Sequence, residues 1–383
     1  MKDSIREIGE NINKSHFFEG DIKYDEVMKN HTTMKVGGSA ALFAEPSTVM
    51  AAAEVFALCS ESGVPVFKVG GGSNLIVSDE GFEGAVVSTE KIKGICFKKS
   101  EEDSCLKLLD SSVRDLAIKL NLAPRKVFVE CSSGVKMNEV SDFCAKYGIT
   151  GMEKFAGLPG TVGGACYMNA RCFEKSISEV ISSVEYLDLS NLDEIKACLK
   201  KYSSSENVKS GDVKKIEEDS IVKSYNMNDN DWGYKHSPFM QKNSLVSKVV
   251  FSCVALSQNI FDRTSAALPE IQMLIKKQND IYIQTRIAKG HFKAPSAGSV
   301  FKNNHEAGKP SGVLIDEAGL KGTVMGGAQV APWHGNFIIN NGNATAKDIY
   351  NLVNLVQRKV KEDTGFTLEP EVVFCGKGFD EQV

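Results

Sequence analysis

The chain has 383 residues, 42% of them apolar and 25% charged, and a formal net charge of −4. That length allows two or three domains around a sizeable core, and the charge balance excludes a general nucleic-acid binder. No apolar run approaches the roughly 20 residues of a membrane span. The polar opening MKDSIREIGENINKSHFFEG has no apolar signal core, so a cytoplasmic protein is expected. The 10 cysteines are scattered with no C-x-x-C pair, and no histidine pair sits at zinc-ligand spacing. They are expected to be small buried hydrophobes in a reducing compartment, with no metal.

In chain order, Lys35 to Glu45 reads as a strand region with a turn at Gly37-Gly38. A helix follows from Val49 to Ser62, with Thr48 as its N-cap and Gly63 closing it. Val64 to Val69 is a strand that feeds Gly70-Gly71-Gly72-Ser73-Asn74, and Gly84 to Thr89 is another. This alternation is that of a small α/β or α+β unit. The charged run Lys98 to Asp103 is expected to be a solvated excursion within a poorly patterned stretch, 91–125. Val127 to Cys131 reads as a strand ending in Ser132-Ser133-Gly134, and Asn138 to Tyr147 as a helix stopped by Gly148. Residues 200–231 are polar and read as an exposed insertion. Three further helices are expected at Phe261 to Lys289, Pro310 to Ala318 and Ala346 to Thr364.

Several stretches could carry chemistry. The Gly70 loop fails as a dinucleotide fingerprint: the third glycine of G-x-G-x-x-G is missing, and Leu75-Ile76-Val77 looks like a strand rather than a helix. Its backbone N–H groups could still form an anion nest, or the loop is only a tight turn. Pro159 to Gly164 is a second glycine-rich loop that could grip the same ligand. Ser299, after Gly298 and before Val300-Phe301-Lys302-Asn303, can present a hydroxyl in a fixed place, although it is no G-x-S-x-G elbow. Glu369 and Glu371 would share a face of a strand, but Pro370 between them leaves the geometry open. Val372, Val373 and Phe374 could shield Glu371, as a general acid needs. Trp232 to Phe239 alone reads as a surface loop.

Together and in this order, these motifs resemble the UDP-N-acetylenolpyruvoylglucosamine reductase (MurB) family. The resemblance is carried by His31 to Gly38, Val69 to Leu75 with Asp79, Gly157 to Ala165 with Met168-Asn169-Ala170, and Gly233 to Phe239. It continues through Pro295 to Asn303, Gly312 to Gly322, Gly326 to Ala328 with His334 to Phe337, and Leu368 to Val372. It implies an α+β, vanillyl-alcohol-oxidase/PCMH-type FAD-binding fold in two subdomains plus a C-terminal α+β substrate domain. The expected division is 1–90 joined by 368–383, 91–290, and 291–367.

The resemblance also implies that NADPH reduces a non-covalent FAD, which passes hydride to the enolpyruvyl double bond of a UDP-sugar to give UDP-N-acetylmuramate. By this likeness, FAD contacts fall on Val69, Gly70, Gly71, Gly72, Ser73, Asn74, Leu75, Ser133, Gly134, Pro159, Gly160, Thr161, Gly163, Gly164, Ala165 and Arg286. Gly70 to Asn74 would wrap the pyrophosphate opposite the Pro159 to Gly164 loop. Ser299 matches the proton donor to C2 and Glu371 the catalytic glutamate, while Tyr234, Lys302, Asn303 and His334 fall where the substrate is held. A monomer without nucleic-acid or membrane partners is expected.

Three departures stand out. Lys235 occupies the place of an arginine that polarises the substrate carboxylate; it brings the charge without the planar fork, so weakened activity is expected. Arg171-Cys172-Phe173-Glu174 replaces a Gly-Ala-Tyr-Gly type of turn, and Asn304 a frequent proline. The segment after Phe239 is short, as in the subfamily without a tyrosine-bearing substrate loop. A second expectation is a FAD-binding homologue with weakened or lost catalysis and a binding or regulatory role. A third, another flavin oxidase of this fold, is opposed by the motifs at 295–303 and 312–328.

Overall fold

A computed structural model describes residues 2–103, 109, 111–119, 122, 124–203, 221–256 and 267–379. Three sheets organise them. The first runs Gly20–Val27, Ser39–Pro46, Phe82–Ser88, Val66–Val69, with one antiparallel pair and two parallel ones. Helix Val49–Glu61 makes the crossover between Ser39–Pro46 and Val66–Val69. It starts where expected because the Thr48 hydroxyl accepts from Ala51 N at 3.1 Å, and Gly63 follows it at φ +65°. The opening helix Lys2–Lys14, not foreseen, buries Ile5, Ile8 and Ile12 against this layer.

The second sheet is antiparallel, in the order Val222–Asn226, Ile181–Asp188, Ser244–Ala255, Arg125–Ser132, Ile95–Asp103. Here two expectations are corrected. The charged run Lys98 to Asp103 is part of an edge strand, not an excursion. Phe97 packs on Phe143 and Tyr147, with ring centroids 5.9 and 5.1 Å away, while Lys98 pairs with Glu130 at 2.8 Å. Charge on an edge strand leaves one face free to pack and discourages further pairing. Likewise Leu192–Ser203 is a helix and Val222–Asn226 an edge strand within or beside the polar stretch 200–231, of which 204–220 lie outside the described residues. Helix Leu268–Ala288 packs on helix Met137–Tyr147; the start expected at Phe261 also lies outside the described residues.

The third sheet runs Ser296–Ser299, Phe337–Asn340, Ala328–Val330, Val324–Met325, backed by helices Ser311–Glu317 and Ala346–Thr364. The last helix buries Ile349, Leu352, Val353, Val356 and Val360 on one stripe. Leu75–Val77 joins none of these sheets; it pairs in parallel with Val373–Cys375, so residues far apart in sequence meet beside the first glycine loop. Eight of the nine described cysteines are buried, Cys96 is exposed, and Cys105 lies outside the described residues. No described helix is long and apolar enough to cross a membrane.

Asp79 ties the first and third layers. Its two carboxylate oxygens accept from Ala346 N at 2.8 Å and Lys347 N at 3.0 Å, at the head of helix Ala346–Thr364. Thr345 and Asp348 cap the same end reciprocally, at 3.0 and 2.9 Å. Replacing Asp79 by Ala strands two amide donors and is expected to cost about 1–2 kcal/mol. A urea titration should show this loss, with Asp79→Asn recovering part of it.

Candidate functional site

The Gly70 loop leaves strand Val66–Val69 and turns back without opening a helix, as its sequence indicates. Gly72 has φ +58°, and a Cβ there would lie 1.9 Å from the His31 carbonyl oxygen, so only glycine fits. The second loop differs from expectation: Thr161 leads directly into a short helix, Val162–Tyr167. The loops also do not face each other across a gap. A Cβ at Gly71 would come within 2.8 Å of Gly160 Cα, and one at Gly160 (φ +99°) within 2.7 Å of Ser73 Oγ. The glycines therefore let two backbones press together into one wall, pinned by Ser73 Oγ donating to Pro159 O at 3.4 Å.

That wall bounds a cavity of about 850 Å³, within the range of cofactor sites. Val69 to Leu75, Pro159 to Thr161, Gly163 to Ala165 and Arg286 line it. Ser133 and Gly134 do not. Ser133 stands behind the wall, accepting Gly163 N at 2.9 Å, and a Cβ at Gly134 would lie 2.1 Å from Thr89 O. Ser133 thus supports the loop from behind, while Gly134 packs against 89–92. Asn74 lines the cavity and has a further task. Its Nδ2 donates to the Glu371 carbonyl at 2.8 Å and its own carbonyl accepts Val373 N at 2.9 Å, so it holds the C-terminal segment.

Glu371 is delivered by that segment. Glu371 N donates to Val300 O at 2.7 Å and Lys302 N to Glu369 O at 2.9 Å, which lays 369–371 alongside 300–302. Glu369 turns outward, 69% exposed, and pairs with Lys302. Glu371 turns inward, 11% exposed, and its Oε1 meets Lys235 Nζ at 2.5 Å. The apolar shield expected around Glu371 is thus replaced by a cation. Lys235 sits on the tight turn Gly233 to His236, closed by reciprocal 3.1 Å hydrogen bonds, with φ +54°.

A second cavity of about 420 Å³ lies beside the first, and Tyr234 and Asn303 line it; the Tyr234 hydroxyl accepts Asn303 N at 3.2 Å. Lys302 and His334, expected at the substrate, line neither cavity. Lys302 is turned toward Glu369, and His334 stands behind Phe337, ring centroids 4.3 Å apart. Ser299, Glu371 and Lys235 line both cavities.

The larger cavity fits a dinucleotide diphosphate. Lys68, Arg171, Lys235, Arg286 and Lys293 line it, against one lining carboxylate, Glu371, among the described residues. Thr161 Oγ1 and Arg286 Nη2 are buried and lack a hydrogen-bond partner among the described residues. Unpaired donors beside glycine-walled space suit the oxygens of a bound FAD. The altered turn at 171–174 forms a two-residue hairpin whose Phe173 ring lies 5.2 Å from the Arg286 guanidinium and 4.7 Å from Tyr282, and so holds Arg286 in place.

Sequence reasoning missed Lys68, His291 and Lys293 in this lining. Lys68 interrupts the apolar strand Val66–Val69, which was the available signal; His291 and Lys293 gave none. Burial pushes the Lys68 ammonium below its ordinary pKa, and it donates to Asn243 Oδ1 at 3.1 Å and Ser244 O at 3.0 Å. Burial, with Arg286, His334 and Lys289 nearby, lowers His291 from 6.5 to about 4. A neutral His291 in the folded chain binds fewer protons than the unfolded chain does, so stability is lost as pH falls from about 6.5 toward 4. The urea midpoint of the protein should therefore drop more steeply across that window than that of His291→Gln.

Residues 290–375 match the family model described as UDP-N-acetylenolpyruvoylglucosamine reductase, C-terminal domain. The chain is 37% identical over 360 residues to the UDP-N-acetylenolpyruvoylglucosamine reductase of Treponema denticola, covering 94% of this chain and 95% of the relative. It is 34% identical to that of Treponema pallidum, covering 90% and 91%. Its fold is similar to the crystal structure of the reductase (MurB) from Thermus caldophilus, with a TM-score of 0.59 and 25% identity over 94% of this chain and 100% of that one. The α+β fold class expected from the sequence holds on this likeness. The chain belongs to the UDP-N-acetylenolpyruvoylglucosamine reductase family.

Proposed function

We propose that this chain reduces UDP-N-acetylglucosamine enolpyruvate to UDP-N-acetylmuramate, with FAD in the larger cavity and the enolpyruvyl end of the substrate in the smaller one. The observation that carries this reading is that Ser299, Lys235 and Glu371, from three separate stretches of chain, line both cavities. FAD would supply the hydride for C3 of the enolpyruvyl group and be re-reduced by NADPH. The glycine wall, Thr161 and Arg286 would hold it, and Asn74 would keep Glu371 registered against that wall.

Hydride addition at C3 drives negative charge toward C2 and the carboxylate, so the site needs positive charge there and then a proton. The Lys235 ammonium supplies charge, and Glu371 fixes where that ammonium sits. Ser299 gives its proton to C2; a hydroxyl is a weak acid, but it suits a strongly basic carbon held at hydrogen-bond distance. Tyr234 and Asn303 would position the sugar end. The protein is taken to work as a cytoplasmic monomer, in the three-part division read from the sequence.

One observation favours the second reading, a homologue of weakened catalysis: the Lys235 charge is already engaged by Glu371. The two readings separate on a simple assay, a yellow protein that oxidises NADPH only when the enolpyruvate is added. Ser299→Ala should leave flavin reduction by NADPH within about twofold and lower product formation by about 10²–10⁴-fold. Unchanged product formation, or loss of flavin reduction, would remove Ser299 from the proton-donor role.

A further inference from the structure

Four side chains line both cavities among the described residues: Arg171, Lys235, Ser299 and Glu371. The geometry points to Arg171 as the group that grips the substrate carboxylate in this chain, an inference that rests on the proposed reaction. Three observations lead there.

The first is charge. Lys235 and Glu371 form a mutual pair at 2.5 Å, their side chains only 14% and 11% exposed, which leaves little net positive charge for an incoming anion. Arg171 is the other cation at the junction, and none of the described carboxylates forms an ion pair with it. One guanidinium nitrogen, Nη1, donates to Ser176 Oγ at 3.3 Å. A guanidinium carries five donors in a planar fork, so an edge remains for a carboxylate.

The second is mounting. Arg171 and Ser176 pair across the hairpin of Arg171–Cys172 with Lys175–Ser176, whose tip is anchored by Phe173 on Tyr282 and Arg286. Buried Asn169 then staples this hairpin to the turn that carries Lys235. Its Nδ2 donates to Gly233 O at 2.7 Å, and its Oδ1 accepts Ser178 N at 3.2 Å. The backbone segments that carry the two cations are therefore held together, with the Arg171 side chain itself exposed.

The third is backbone strain. Six non-glycine residues among those described have positive φ, and four of them, Asn169, Phe173, Glu174 and Lys235, surround this junction. Left-handed backbone at such residues persists where the surroundings over-determine it, and it gathers at working sites. Phe173 and Glu174 are the two central residues of the hairpin turn, which needs such backbone, while Asn169 and Lys235 carry it outside any such hairpin; Arg171 and Lys235 both line the junction of the two cavities. The fork that lysine lacks at 235 is thus present at 171.

The test separates binding from turnover. Flavin-loaded wild type, R171A, R171Q and R171K are titrated, by flavin absorbance, with UDP-N-acetylglucosamine enolpyruvate and with UDP-N-acetylglucosamine, which has no carboxylate. R171A and R171Q should weaken the enolpyruvate about 10–100-fold and leave UDP-N-acetylglucosamine within about twofold. R171K, with charge but no fork, should fall between. Unchanged enolpyruvate affinity in R171A and R171Q overturns the inference. Equal weakening of both ligands also overturns it and assigns Arg171 to the diphosphate instead. If wild-type reduced flavin is not reoxidised by the enolpyruvate, the reductase reading itself fails, whereas wild-type turnover with unaltered R171A removes only the role of Arg171.

Discussion

The parallel pairing of Leu75–Val77 with Val373–Cys375 is the contact on which the site depends. It is only three residues long, yet it joins the exit of the first glycine loop to the segment that ends the described fold. Asn74 extends it, through its backbone carbonyl to Val373 N and its side-chain Nδ2 to Glu371 O. The same segment is gripped from its other side by Val300 and Lys302. Glu371 is therefore fixed between the cofactor wall and the strand that carries Ser299. A shift of the pairing by one residue would turn Glu371 to the opposite face. Asp79, two residues past this pairing, caps the last long helix and holds the third sheet to the same frame.

The glycines acquire their meaning from this arrangement. At Gly70, Gly71 and Gly160 the space that a Cβ would need is filled by the other loop. Their first task is thus to let two loops from different sheets share one wall, and the ligand-facing surface follows from that. Ser133 belongs to the same construction from behind. A reading of loops one at a time assigns every glycine to the ligand, because only the folded chain shows which side of the loop the neighbour occupies.

Local signals in the sequence were faithful. Thr48, Gly63 and Gly148 mark helix ends through capping chemistry that acts over a few residues. Ile5, Ile8 and Ile12 show the helical period as well, although flanking charge obscured it. What could not be read is set by contacts distant in sequence. Glu369 and Glu371 look equivalent in Leu-Glu-Pro-Glu-Val, and their separation into a solvent-facing and a cavity-facing carboxylate depends on Lys302 and Lys235, 67 and 136 residues away. Lys302 reads as a substrate ligand, and in the structure it turns to Glu369.

Charge at the junction explains why such a lysine–glutamate pair can coexist with a reductase. A closely paired, mostly buried ion pair contributes little net stability, because desolvation offsets its attraction, while loss of one partner alone leaves a costly charge. Glu371 thus keeps Lys235 in position at the expense of its reach toward an anion. With Arg171 beside them the junction holds two cations and one anion, and a monoanionic carboxylate balances it. On the proposed reaction, hydride arrival would add a negative charge that the balanced site does not offset, and a proton from Ser299 would move that charge off C2. The second cation offered to that charge is an exposed guanidinium fork, carried on a hairpin anchored at its tip by Phe173.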